Sequence, residues 1–219
     1  METDHIFIKV KHNAPEAELL KKIGLTEGSS NQHAGQGTAN RRFFFKNFCI
    51  ELLFVEKIDE CQNETTSQLH LFERLTSNSL NIAPFGICFR PTSQNESAAP
   101  FPCRDYKPRY LPTPLNIDVA PINLAEPMWF YLSFSKRPDE APAESRQPLE
   151  HPAGINELTS VRLITPDSEN LSPAAICASK LHNFAIAEGK EYLLELEFDE
   201  HAQQKKYDLR PHLPLIMYW

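Results

Sequence analysis

A strand that carries a glutamate among apolar residues is the feature that most constrains the fold of this chain. The segment Phe48-Cys-Ile-Glu-Leu-Leu-Phe-Val55 does not alternate between polar and apolar residues, so we expect both of its faces to be covered. A carboxylate in such a strand needs a cation, hydrogen-bond donors or water in a cavity, because burying it alone is unfavourable. Glu51 therefore indicates either a small-molecule site or a buried ion pair with Arg41 or Arg42 on the neighbouring strand.

The segments that precede this strand predict a β-α-β-β-β unit over residues 1–57. Residues 15–23 have the apolar spacing of a helix, with Asn13 as a candidate N-cap and Gly24 past the end. Runs rich in apolar and β-branched residues predict the strands. The four predicted strands are residues 5–10, 25–29, 40–45 and 48–55.

The rest of the chain divides by composition. Most of the 18 prolines lie between Pro84 and Pro152, which predicts a loop-rich second part of a region that extends over residues 1–135. Residues 136–150 are charged and contain prolines, as a linker or surface loop does. Residues 151–219 repeat the order strand, helix, strand, strand, so we interpret them as a degenerate βαββ-type module packed in the same domain.

Charge and hydropathy exclude several classes of protein. The net charge is −7, and the longest basic runs are Arg41-Arg42 and Lys205-Lys206, which excludes nucleic acid as a partner. No apolar run approaches the roughly 20 residues that span a bilayer, and the acidic start does not resemble a signal peptide. We therefore expect a cytoplasmic protein without membrane contact. The five cysteines are scattered and form no C-x-x-C pair, as buried free thiols would be.

Three residues are candidate metal ligands. His5 opens the first predicted strand and can lie across the sheet from Glu51, which is also a candidate catalytic base. Imidazole and carboxylate together suit Zn²⁺, Fe²⁺, Mn²⁺ or Ni²⁺. His151 is the candidate third ligand, since Pro152 and Gly154 shape the backbone after it; the alternative is a loop histidine without a partner.

Glu195 is only a reserve ligand. Its segment, Leu194-Glu-Leu-Glu-Phe, alternates cleanly, which predicts that the glutamates face solvent.

The densest polar cluster runs from His33 to Arg42. Its two glycines let the backbone approach a ligand closely. The cluster lacks the G-x-G-x-x-G spacing, so no nucleotide cofactor is expected. The alternative is a loop beside a hairpin with surface arginines. Its candidate substrate-binding residues, which offer donors to a carboxylate or carbonyl oxygen, are His33, Thr38, Asn40, Arg41 and Arg42.

These segments resemble a known family. Asp4-His-Ile-Phe-Ile, Thr38-Ala-Asn-Arg-Arg-Phe-Phe-Phe45 and Ile50-Glu-Leu-Leu-Phe-Val55 are similar to the glyoxalase-like branch of the vicinal oxygen chelate superfamily. Pro84-Phe-Gly-Ile-Cys-Phe-Arg-Pro91 and Leu149-Glu-His-Pro-Ala-Gly154 extend the resemblance. It implies an α+β fold in which paired βαβββ modules curl into an open, cupped mixed β-barrel.

The resemblance also implies a divalent metal, held by a residue on the first strand and a glutamate on the fourth, with a second pair from the other module. His5 and Glu51 match the first pair. The second pair is missing, because residues 85–90 offer an apolar position and Leu158 stands where His5 stands. The chain therefore recruits His151 or Glu195, binds metal weakly, or has lost the metal and kept the pocket.

Three functions are consistent with this pattern. The first is a metal-dependent lyase, isomerase or dioxygenase that chelates two adjacent oxygens of a small substrate. The second is a metal-free protein that sequesters a small molecule. The third is a structural homodimer with a vestigial pocket. For the second function, the expected lining residues are Phe43, Phe45, Trp129 and Tyr110.

Overall fold

Eight strands form a mixed sheet in the first half of the protein. The computed structural model describes residues 1–93, 96 and 98–219. The strands of this sheet follow the order β2-β3-β4-β1-β5-β8-β7-β6. They are β1 (Glu2–Lys9), β2 (Asn31–His33), β3 (Thr38–Phe44), β4 (Cys49–Val55), β5 (Phe85–Arg90), β6 (Arg104–Tyr106), β7 (Ile117–Val119) and β8 (Met128–Tyr131).

This sheet consists of two four-stranded halves with the same pairing. In the first half, β1 is parallel to β4, and β3 and β2 follow antiparallel. In the second half, β5 is parallel to β8, and β7 and β6 follow antiparallel. The halves meet where β1 and β5 pair antiparallel. The α+β fold with a cupped, mixed sheet is therefore confirmed, and Phe85–Arg90 opens the second half.

The C-terminal part forms a second mixed sheet, ordered β10-β9-β11-β13-β12. Its strands are β9 (Leu158–Thr165), β10 (Phe184–Glu188), β11 (Leu193–Phe198), β12 (Lys206–Asp208) and β13 (Leu215–Tyr218). Here β9 pairs with both β10 and β11, whereas β1 in the first unit pairs with β4 and β5. The two segments share the order of their elements but not the pairing of their strands.

The helices are short. They are α1 (Ala17–Lys22), α2 (Ile58–Cys61), α3 (Leu71–Thr76) and α4 (Pro173–Ala178), with 3-10 turns at Ser67–Leu69, Pro138–Glu140 and Asp199–His201. His70, whose φ is +52°, separates the 3-10 turn at Ser67–Leu69 from α3. Among the described residues, no helix has the length and apolar character needed to cross a membrane.

The strand predicted over residues 25–29 is absent, and the second strand of this unit is β2, which begins at Asn31. The backbone N–H of Thr26 donates to the His151 ring, and that of Gly28 donates to the carbonyl of Arg42. The backbone of this segment therefore forms isolated hydrogen bonds and not the regular ladder that pairs two strands.

The main core lies between the two sheets. Alternation sends Ile6, Ile50 and Ile87 of the first sheet toward Leu194 and Leu196 of the second, and all five are fully buried. Phe43, Phe45 and Trp129 also belong to this core. These three residues were expected to line a cavity together with Tyr110, but only Tyr110 does so. Phe43 and Trp129 point to the core face of their strands, and Phe45 follows the end of β3.

Side chains between residues 134 and 147 and the open face of the eight-stranded sheet line the same cavity. The N–H of Asp139 donates to the Lys46 carbonyl at 3.0 Å, and Gln147 Oε1 accepts from the N–H of Ser29 at 2.9 Å. Most of the segment predicted as a linker or surface loop is thus bonded to the first half of the sheet and forms part of a cavity wall.

Candidate small-molecule site

A cavity of about 630 Å³ lies on the concave face of the eight-stranded sheet. Pockets that hold small organic molecules measure about 300–1,000 Å³. The period of two along the strands determines which side chains reach it. On β1 these are His5 and Phe7, and on β4 they are Cys49, Glu51 and Leu53.

A buried carboxylate holds His5 at the cavity wall. The ring Nδ1 of His5 donates to Asp4 Oδ1 at 2.6 Å. Asp4 Oδ2 accepts from Arg90 Nη1 at 3.0 Å and from Ser135 Oγ at 2.6 Å. Burial by itself would raise the pKa of Asp4, but His5 and Arg90 more than offset it and lower the pKa to about 2. Asp4 is therefore an anion that fixes the imidazole and leaves Nε2 as its free nitrogen.

Glu51 lies near His5 and influences its charge. Burial lowers the pKa of His5, but the charge of Glu51 and the contact with Asp4 outweigh burial and raise it above 6.5. The alternative interpretation of Glu51, an ion pair with Arg41 or Arg42, is not formed within the described residues. Arg41 instead pairs with Glu27, with Nε at 2.6 Å from Oε1. The Arg42 side chain lines the cavity, where it donates to Ser29 and lies 4.9 Å from the Phe44 ring centre.

A chain of hydrogen bonds supports the far wall. Gln36 Nε2 donates to Thr38 Oγ1 at 2.8 Å, and Thr38 Oγ1 is also 2.8 Å from His33 Nδ1. Tyr106 donates to Gln36 Oε1 at 3.0 Å, and Tyr110 lies with its ring centre 4.8 Å from that of His33. Burial lowers the pKa of His33. Thr38 therefore supports the wall from behind, while His33 lines it.

The predicted polar cluster is divided by the structure. His33 and Arg42 line the cavity, whereas Thr38, Asn40 and Arg41 do not. Asn40 is buried, and its Oδ1 accepts from the N–H of Asn31 at 2.9 Å. Arg41 is directed to the other face of β3 because neighbouring residues on a strand point to opposite sides.

His151 and Glu195 are not brought to the cavity. Thr26 N–H donates to Nδ1 of His151 at 2.9 Å, and Nε2 donates to the Phe44 carbonyl at 2.9 Å, so both ring nitrogens have partners. Glu195 lies in the second sheet and accepts from Arg162. The predicted set of His5, Glu51 and His151 is therefore not assembled, because His151 fixes the backbone beside β3.

One other group of side chains lies close enough together to be compared with a divalent-ion site. Among the described residues, Asp4, His5 and Cys88 are the group of potential ligands whose donor atoms all lie within 4.8 Å of one another. Oxygen, nitrogen and sulfur donors suit zinc. However, both Asp4 oxygens already serve His5, Arg90 and Ser135, as described above. Burial raises the pKa of the Cys88 thiol well above 9, which disfavours the thiolate that a metal needs.

The second half of the sheet supplies no further ligand of the expected kind. On the cavity-facing side of β5 and β8 lie Gly86, Cys88, Met128 and Phe130, which carry neither imidazole nor carboxylate. The side chains present therefore do not fit a resident divalent ion held by paired modules.

Sequence reasoning did not find Asp4, Ser135, Gln36 or Tyr106. The adjacency of Asp4 to His5 was a usable signal, because a buried acid beside a histidine commonly orients its ring. The role of Ser135 had no local signal, since it lies 131 residues from Asp4 in the chain.

Fold and cavity together define a protein of the vicinal oxygen chelate type. A family model described as Glyoxalase-like domain matches residues 3–175, so the chain belongs to this family. The fold is similar to that of a hypothetical protein from Staphylococcus aureus, with a TM-score of 0.55, 13% identity and 98% of each chain covered. No curated protein matches the sequence.

Proposed function

We propose that this protein is an enzyme that transfers a proton at a small organic molecule, with His5 as the acid–base group and Asp4 as its positioning residue. The observation that carries the proposal is the 2.6 Å hydrogen bond between Asp4 and His5 at the wall of the cavity. A carboxylate that binds one ring nitrogen fixes the tautomer and aims the other nitrogen, as general acid–base catalysis needs.

The surroundings of His5 support a proton-transfer step. A C–H bond of the substrate breaks, its electron pair is delocalised into an adjacent carbonyl, and the proton passes to His5 Nε2. The imidazolium that forms is stabilised by the charges of Asp4 and Glu51, which both raise the pKa of His5 against the effect of burial. Return of the proton to another atom gives an isomerisation, and loss of a leaving group gives an elimination. His33 and Arg42 are further substrate contacts in this proposal.

A metal-free binding protein is the second candidate. It is favoured by the apolar side chains that Leu53, Leu71, Ile117, Met128 and Phe130 place in the cavity wall. Such a wall binds a ligand without acting on it.

Exchange of carbon-bound hydrogen for deuterium separates the two candidates. The purified protein is incubated in D₂O with phenylpyruvate, phenylacetaldehyde and acetophenone, and NMR follows both binding and loss of the α-proton signal. We expect exchange above the buffer rate for the probes that bind, and a loss of about 10²–10⁴-fold in His5→Gln.

His12→Gln is the matched control, because its side chain is 58% exposed and lies outside the cavity. Unfolding midpoints of both variants show that the fold is kept. If the probes bind to the wild type but their α-protons do not exchange, the binding protein is the correct candidate and the enzyme is not. If His5→Gln exchanges α-protons as fast as the wild type, the role of His5 is refuted.

A further inference from the structure

Polarity changes across the floor of the cavity from one half of the sheet to the other. Strand register places one row of neighbours across β3, β4, β1, β5 and β8. This row consists of Arg42, Glu51, Phe7, Gly86 and Met128. In this row the two charged side chains belong to β3 and β4 of the first half, whereas Phe7 of β1 and the residues of the second half are uncharged.

Phe7 and Gly86 mark the boundary between these two halves. A Cβ atom on Gly86 would lie 2.0 Å from Phe7 Cε1, so the ring lies directly over the glycine backbone. The ring thus packs down on the floor and leaves the space above it open. Met128, Phe130 and Ile117 continue the apolar surface from there.

Two cations in the cavity wall lack a carboxylate partner. Within the described residues, neither Arg42 nor Lys136 forms an ion pair, whereas Arg137, which also lines the cavity, pairs with Asp139 at 3.0 Å. Among the acids of the wall, Asp4 is matched by Arg90, Glu51 lies close to His5, and Glu140 is exposed. In the part of the chain that the structure describes, Arg42 donates from Nε and Nη2 to Ser29, so Nη1 and the second N–H of Nη2 can bind a carboxylate in bidentate geometry.

We propose that the ligand is a hydrophobic organic carboxylate whose carboxylate binds Arg42 and whose apolar body lies over Phe7, Met128 and Phe130. One part of this inference rests on the proposed function, namely that this orientation places the carbon that loses its proton beside His5. The carboxylate end is recognised by β3, and the apolar end is recognised by β1 and β8.

Isothermal titration calorimetry with three matched probes tests the ligand class. The probes are 4-phenylbutyrate, its amide, and butyrate, measured at pH 7.5. We expect 4-phenylbutyrate to bind at least tenfold more tightly than either of the others, because the amide lacks the charge and butyrate lacks the ring. Equal affinity for the acid and the amide, or no measurable binding of the acid, would overturn the proposal.

Variants assign the two ends of the ligand. Arg42→Gln removes the preference for the acid over the amide, and Met128→Gln weakens both phenyl probes by at least fivefold without changing that preference. Arg104→Gln removes an exposed cation outside the cavity and leaves all three affinities unchanged. An unchanged preference in Arg42→Gln would refute the assignment of the carboxylate to this residue.

The outcomes distinguish this inference from the proposed function. Binding of 4-phenylbutyrate that persists in His5→Gln supports the ligand class independently of proton transfer. If the phenyl acid binds but no α-proton probe exchanges, the ligand class stands and the acid–base function fails. If α-protons exchange while the phenyl acid does not bind, the ligand class fails alone.

Discussion

Replacement of Asp4 by asparagine removes one charge from a buried network while keeping the shape of the side chain. Asp4 is 8% exposed and contacts His5, Arg90 and Ser135. Folding lowers the pKa of Asp4 from 3.8 to about 2. At about 1.36 kcal/mol for each pKa unit, this shift corresponds to roughly 2 kcal/mol of stability from the charged form. Arg90 also loses part of its charge compensation.

Removing one partner of a buried ion pair costs about 3–5 kcal/mol in general. In this case Arg90 Nε still donates to Glu2 at 3.0 Å, and Nη2 donates to the Asn47 carbonyl at 2.7 Å. We therefore expect Asp4→Asn to lower the free energy of unfolding by about 2–4 kcal/mol at pH 7, between the linkage value and the full pair value.

Urea unfolding at a series of pH values measures this loss. Because the pKa of Asp4 is lowered in the folded state, its contribution is complete above pH 3.8 and disappears as the pH falls through about 2. Because Asp4 also raises the pKa of His5, the difference between wild type and variant should grow from pH 7 to pH 5, and it should narrow below pH 4 as Asp4 itself is protonated. Asp105→Asn, at a side chain that is 63% exposed, is the control and should change stability by less than about 0.5 kcal/mol. A difference at pH 7 no larger than that of the control would refute the network.

Two further substitutions test buried polar groups. Burial lowers the pKa of His151, and the N–H of Thr26 needs its unprotonated Nδ1, so wild-type stability should fall as the pH drops below 6.5. At pH 7.5, His151→Gln should be about 1–3 kcal/mol less stable than the wild type in urea unfolding. On acidification to pH 5.5 its free energy of unfolding should fall by less than that of the wild type, and an equal fall would contradict this role of His151. Arg74 is fully buried, its guanidinium donates to three backbone carbonyls, and burial lowers its pKa to about 10. Arg74→Met should lower the thermal midpoint and cost about 3–5 kcal/mol, and a variant as stable as the wild type would show that these carbonyls find other donors.

Local pattern was sufficient to predict β1, β3 and β4 of the first half of the sheet, but not β2. The unbroken apolar run around Glu51 is characteristic of a strand with neighbours on both sides, and β4 indeed lies between β1 and β3. The period of two also separates Arg42 from Arg41, so sequence alone contained the signal that only one of these arginines faces the cavity.

The partners of the site residues could not be predicted in this way. Arg90 reaches Asp4 only because β1 and β5 pair antiparallel, with Glu2 opposite Arg90. His151 is followed by residues that favour a turn, yet its role depends on Thr26 and on the Phe44 carbonyl, more than 100 residues away. Local propensity carries no information about such distant contacts, and the register of a sheet decides them.

The unequal halves of the sheet connect the two proposals. A metal site shared by paired modules needs ligands from both halves, whereas here the half formed by β5 and β8 faces the cavity with Gly86, Met128 and Phe130. The charged side chain of β5 is Arg90, which supports Asp4 from behind rather than meeting a ligand. The acid–base residues can therefore belong to one half, and the other half is left to bind an apolar group. A substitution at Met128 of β8 should therefore alter ligand affinity without changing the Asp4–His5 pair, unlike one at Phe130, whose ring centre lies 5.3 Å from that of His5.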